Sequence, residues 1–199
     1  MRRISITVLC ICSLLSPCFQ PKAYAQLGAR TLARSLDQLS EEAAIIVHGR
    51  VLSARIEPHP QLRHLTTVVV SMAVSDTYKG KPQKSFSFRQ YLWDPRHAAA
   101  EYVKGQELVL MMGPVSELGL SSPVGLEQGR FQVSRNEKGE KVAVNARGNF
   151  GLFNAVEQRA RARGLILSAR TAGMAREHKS GPLPLSDLEN AIRSFAGAH

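Results

Sequence analysis

The sequence predicts a mainly β protein: a small antiparallel barrel with a short helix before it and helices after it. Three observations carry this expectation. Five or six segments between residues 44 and 145 are short, rich in β-branched or aromatic residues, and bounded by Gly, Pro or Asn turns. The first of them is interrupted by Gly49, and a glycine inside a strand marks a bulge or a bend of the kind small barrels need. Helical periodicity becomes prominent only after Asn145.

The chain opens with the pattern of an export leader. "MRR" is a basic start, "ISITVLCICSLLS" is an apolar run of leader length, and "AYAQ" offers cleavage between Ala25 and Gln26. Residues 1–25 are therefore expected to be a removed signal peptide, with the mature protein periplasmic or extracellular. The competing reading is an uncleaved anchor, although Pro17 breaks the run and its length is short for a span. Lipid attachment at Cys18 is disfavoured because Pro17 stands where a small residue is wanted. The 3 cysteines, Cys10, Cys12 and Cys18, all lie in this leader. The mature chain thus has neither thiol nor disulfide, and a hydrophobic core alone must hold it. It is long enough to bury roughly 70% of its unfolded surface in one core.

Ser35 followed by Gln38 fits a capping box opening a short helix with Leu36 and Leu39 on one side. "AAIIVHGRVLSARIEP" follows as the first strand. In strict alternation Ile45, Val47, Gly49 and Val51 share one face, and Ile46, His48, Arg50, Leu52 and Ala54 share the other. "PHPQLRH" is a hairpin loop, and "LTTVVVSMAVSDTY" a second strand ending at Gly80 and Pro82. "KSFSFRQYLW" alternates as a third strand. "DPRHAAAEYVKG" reads as a helical turn, and the nearly all-apolar "QELVLMMG" as a strand buried on both faces. "GRFQVSRNEKGEKVAVN" is a hairpin turning at Gly139. The barrel domain is therefore set at residues 26–149.

Residues 150–199 form a helical extension. One helix is expected over Phe150–Arg163, with Leu152, Phe153, Val156 and Ala160 on a face. Residues 168–182 lack apolar periodicity and read as a mobile linker. Ser186 with Glu189 fits a capping box for a last helix carrying Leu188, Ile192 and Phe195 at i, i+4 and i+7.

"AAIIVHGRV", "TYKGK", "KGQELVLMM" and "GLEQGRFQV" together resemble a group of uncharacterised bacterial exported proteins. Their pattern is similar in turn to the netrin-like module, an OB-type barrel also found in tissue inhibitors of metalloproteinases. The resemblance covers residues 35–145 and implies an OB-type, netrin-like barrel. Two departures limit it. Ala44 stands where the group often has an acidic residue, and the mature chain lacks the N-terminal cysteine by which those inhibitors reach their target's zinc. The resemblance implies a fold, and a fold does not imply a function.

The formal charge is +10, with 26 Lys and Arg against 16 Asp and Glu. Such a balance attracts anionic lipid or acidic polymers, or serves solubility alone. No Gly-x-Ser-x-Gly elbow, Ser-x-x-Lys pair or Gly-rich phosphate loop occurs. The six histidines include His59 and His64 five apart and none at the helical i, i+4 spacing of zinc sites. No catalytic residue, metal ligand or cofactor is therefore assigned.

The candidate binding residues are Arg89, Tyr91 and Trp93 on one face of the third strand, a cation beside two aromatics. OB barrels use such faces to stack bases or sugar rings. The alternative is that the C-terminal helix covers Tyr91 and Trp93. Arg159, Arg161 and Arg163 read either as an anion site or as a solvated face. His48, Gly49 and Arg50 are read as a structural bend, with the two side chains outside.

The expected function is an exported, non-catalytic binding or interaction module. Its partner would be a protein or envelope component, an anionic one among the candidates, without a membrane anchor after cleavage. The alternative is a cell-envelope hydrolase using His48 or His97 with a carboxylate brought near by folding. A single-stranded nucleic-acid binder is the third reading, which export disfavours.

Overall fold

A computed structural model describes residues 32–93 and 102–196. The expected leader and its three cysteines, His97, His199 and most of "DPRHAAAEYVKG" lie outside the described residues. Four helices are described: α1 (Leu36–Glu42), α2 (Val156–Ala162), α3 (Ala169–Glu177) and α4 (Leu185–Ala196). The strands are β1 (Ile45–Pro58), β2 (Thr66–Lys79), β3 (Ser85–Tyr91), β4 (Glu107–Met112), β5 (Arg130–Arg135), β6 (Lys141–Asn145) and β7 (Leu183–Pro184). All pairings are antiparallel, in the order β3-β2-β1-β4-β5-β6-β7.

The mainly β class stands, but the ladder is not closed: β3 and β7 do not pair, which corrects the barrel expectation. The chain after β4 explains the gap. "GPVSELGLSSP" carries Pro114, Gly119 and Pro123, and proline cannot donate to a ladder. It folds on itself instead, Gly113 N–H to Ser122 O at 3.0 Å and Ser116 N–H to Leu120 O at 2.8 Å. One backbone bond from it, Ser121 N–H to Arg89 O at 2.8 Å, reaches the open side of β3.

β1 and β2 have 14 residues each, and a straight strand of that length would run about 46 Å. Their pairing shifts register at Ile46/Val47, His48/Gly49 and Val51/Ser53. Such bulges bend and twist the ladder. Gly49 sits at the middle shift, as the bend reading requires. A Cβ built there would lie 2.2 Å from Ala73 O.

The curled sheet is buried on both sides. Val47, Val51, Val68, Val70, Met72, Phe88, Leu108, Leu110 and Met112 form a cluster to which, among the described residues, no helix contributes. On the other side Ile46, Val109, Met111, Phe131 and Ala143 pack with Leu36, Leu39, Leu152, Phe153, Leu188 and Ile192. β4 serves both clusters, and Leu108 to Met112 are each 0% exposed, as its unbroken apolar run predicts. The segment after residue 149 thus shares the strands' core.

Two local expectations are corrected there. The helix expected over Phe150–Arg163 begins only at Val156, because Asn149, Gly151 and Ala155 take positive φ (58°, 74° and 52°) and coil residues 149–155 into turns. Within the expected linker 168–182 lies α3, started by Ser168 Oγ accepting Thr171 N–H at 3.1 Å. A cap and one buried residue, Thr171, mark it where apolar periodicity does not.

At α1, the Gln38 carboxamide oxygen accepts Ser35 N–H at 3.0 Å, as the capping pattern predicts. Asp37, 5% exposed, accepts from Arg159 of α2 through both oxygens at 2.7 and 2.9 Å. Burial pushes its carboxyl up, but Arg159, Ser35 and the Gln38 N–H outweigh that and hold it below the usual aspartate value. A depressed folded pKa contributes stability that is present above the unfolded value, about 3.9, and lost as pH falls through the folded one. Asp37→Asn is expected to cost roughly 2 kcal/mol at neutral pH, as Arg159 keeps some water access. It should also flatten the loss of stability below about pH 4. Urea midpoints measured across that range decide this; parallel pH slopes in the two proteins would refute it.

Candidate functional site

Of the three candidate residues, Trp93 and Tyr91 remain at the surface of the outermost strand and its exit. Trp93 is 73% exposed and Tyr91 half-buried, and their rings stand edge to face at 5.2 Å. The C-terminal helix α4 does not cover Trp93. Its apolar face goes to the opposite cluster through Leu188, Ala191, Ile192 and Phe195. Arg89 plays another part. Its guanidinium donates to Glu57 Oε1 at 2.6 Å and to Thr67 Oγ1 at 2.8 Å, which ties β3 across β2 to β1. It is a cross-strand clamp, not a free cation beside the aromatics.

Alongside β3 runs a groove of about 560 Å³ between that strand and the loop after β4. Phe86, Phe88 and Val115 line it together with Lys81.

The basic cluster of α2 is absorbed by ion pairs. Arg159 meets Asp37, Arg161 meets Glu157 at 3.6 Å, and Arg163 meets Glu41 at 2.7 Å. His59, 2% exposed, pins its loop: Nε2 donates to Leu118 O at 2.8 Å, while Nδ1 accepts from the Gln61 and Leu62 amides.

The His48 side chain is the main surprise. It was expected outside, and it is 5% exposed instead, because α4 lies over this face of β1. Folding brings three carboxylates to the ring. Nε2 lies 2.9 Å from Glu107 Oε1, and Nδ1 lies 3.4 Å from Glu189 Oε1 and 3.8 Å from Asp76 Oδ2. Glu107 is on β4, opposite Arg50, Asp76 on β2, opposite His48, and Glu189 on α4. Burial alone would raise the Glu107 carboxyl, but hydrogen bonds from Lys141 and His48 outweigh it and hold it below the usual glutamate value. Lys141 Nζ donates to its Oε1 at 2.7 Å and Arg50 to its Oε2 at 3.2 Å.

Tyr78 completes the surroundings. Its hydroxyl donates to Glu189 Oε1 at 2.7 Å, and Arg193 lies over its ring at 5.0 Å. Burial, with the Glu189 carboxylate beside it, raises the phenol far above its usual value, so it stays a donor. The capping box that the sequence pairs between Ser186 and Glu189 is not formed. Helix α4 starts at Leu185, ahead of Ser186, and the Glu189 carboxylate accepts from Tyr78 and faces His48 Nδ1 instead. The alternation of β1 places His48 on the face of Ile46, which was the one available signal that it would be buried.

Chemically, the cluster orients an imidazole and concentrates negative charge. The groups facing its nitrogens are carboxylates, and the ring is enclosed. Comparison with protein-family models, with curated proteins and with solved structures finds no match. Among the described residues no helix is long and apolar enough to cross a membrane.

Proposed function

We propose that the protein is an exported, non-catalytic binding module that engages its ligand along the β3 edge, with Tyr91 and Trp93 as the contact residues. The observation that carries this is the exposure of Trp93, 73%, edge to face with Tyr91, at the end of the strand whose Phe86–Arg89 stretch lines an apolar groove. Exposed large apolar residues grouped at one place mark interaction surfaces, and Val115 and Leu118, 70% and 41% exposed, stand on the neighbouring loop. Among the described residues β3 has a ladder partner on one side only, its other side carrying the single Ser121 N–H to Arg89 O bond, and such an edge can take up a partner's extended segment.

The resemblance to exported proteins with netrin-like barrels supports the same reading. So does the curl of β1 to β4 around one shared apolar cluster, with Ser121 N–H bonded to Arg89 O beside β3. In this reading the sheet is an OB-type barrel left open at the ligand-binding seam. The hydrolase alternative gains carboxylates beside His48 but lacks substrate access to an imidazole that is 5% exposed.

Trp93 is the only tryptophan, so its fluorescence reports the site directly. Incubated with an envelope extract, the full chain should capture a ligand that shifts Trp93 emission to the blue. A Tyr91→Ala/Trp93→Ala variant should keep its melting temperature and lose capture at least tenfold, since stacking contacts contribute about 1–3 kcal/mol each. Capture that is unchanged in the double variant removes the assignment. Arg89 is left in place because its loss would loosen the sheet.

A further inference from the structure

We propose that His48, Asp76 and Glu189 form a binding site for one divalent cation of the zinc class. The donor atoms come from three elements, β1, β2 and α4, and all lie within 4.8 Å of one another. This site is independent of the β3 edge.

The ring is already set for the role. Glu107 Oε1 accepts from Lys141 as well as facing Nε2, so the Nε2–H of His48 points at an acceptor. With Nε2 turned to that acceptor, Nδ1 is the nitrogen left to offer a lone pair to a metal ion. That atom is buried without a hydrogen-bond partner and is aimed at Glu189 and Asp76. At 3.4 and 3.8 Å the two oxygens are too far for ordinary N–H···O bonds. A bare lone pair facing two carboxylates is repulsive unless positive charge, a proton on Nδ1 or a metal ion, lies between them, and a metal ion uses all three donors at once. A carboxylate holding the second nitrogen of a metal-bound histidine is the usual arrangement at such centres.

The charges agree. Glu107 is compensated by Lys141 and Arg50. Among the described residues Asp76 and Glu189 have no ion-pair partner except His48 itself. Spacing agrees as well: a tetrahedral centre with bonds near 2.1 Å has donors about 3.4 Å apart. Nitrogen with two carboxylate oxygens suits zinc better than magnesium or calcium, which favour all-oxygen sets. Tyr78, donating to Glu189 Oε1, holds that carboxylate in place. The Asp76 side chain is 51% exposed, which opens a path for the ion and for a water as fourth ligand.

The test is titration of the chelator-treated full chain with Zn²⁺, followed by calorimetry and by melting temperature, with Co²⁺ absorption as a reporter of coordination. One equivalent should bind and raise the melting temperature. Asp76→Asn, at an exposed position, leaves the core untouched and should weaken binding at least tenfold, as should Glu189→Gln. Tyr78→Phe, which removes only the positioning bond, should weaken it by about tenfold or more. His64→Ala, at an exposed loop histidine, should leave it unchanged. Failure of the wild type to bind one equivalent overturns the site, as does an unchanged affinity in either carboxylate variant.

Discussion

Gly49→Ala is expected to destabilise the protein by about 3 kcal/mol, the upper part of the usual overpacking range. The added Cβ would fall 2.2 Å from Ala73 O and 3.1 Å from Ala73 C and Val74 Cα. All three are backbone atoms of the paired strand, so no side chain can swing aside. β1 and β2 would have to separate where their register shifts between His48 and Gly49. That displacement would also move His48 against Glu107. Gly173 of α3 is the internal control: a Cβ there meets nothing within 4 Å. Gly173→Ala should be neutral or stabilise by up to about 1 kcal/mol. Urea unfolding of both variants reads the contrast. A Gly49→Ala protein within 1 kcal/mol of wild type (an order-of-magnitude threshold) would show that the strands do not approach as described.

Asn149→Ala is expected to cost about 3 kcal/mol or more, from unsatisfied buried groups. The residue is 0% exposed. Its Nδ2 donates to Ala143 O at 3.0 Å and Gly181 O at 2.9 Å, and its Oδ1 accepts Asn145 N–H at 3.0 Å. One carboxamide thus joins the end of β6, the turn after it and the segment leading into β7. Its φ of 58° lies in the left-handed region, which asparagine tolerates better than alanine. Asn149→Gly separates the two causes, since it removes the hydrogen bonds without the strain. Comparable losses in both variants would assign the effect to the bonds. A loss below 1 kcal/mol in both would mean that water replaces them, contrary to their burial.

The elements with a strong local code were legible. β4 is apolar at every position after Glu107, and both its faces are buried. The i, i+4, i+7 pattern of Leu188, Ile192 and Phe195 placed the last helix and its buried face. Gly49 marked the bend. The start of α2 and the existence of α3 were not legible. They depend on single left-handed residues and on one serine cap, which leave no periodic trace.

The His48 cluster was illegible for another reason. Its facing atoms belong to residues 48, 76, 107 and 189, and each has an ordinary local explanation. Glu189 fits a helix cap, Asp76 a strand end, and Glu107 a strand start. Only the antiparallel pairing of β1 with β2 and β4, with α4 laid across them, makes these explanations secondary.

By itself, the sequence determined the mainly β class, the doubly buried strand and the bend at Gly49, since each follows from side-chain period or backbone sterics within one segment. The tertiary structure alone decided that the sheet stays open between β3 and β7, that Arg89 is held by Glu57 while Trp93 faces outward, and that His48 lies among carboxylates. Those outcomes depend on which distant segments share space, and a hydrogen bond or ion pair between distant segments leaves no period in the chain to read.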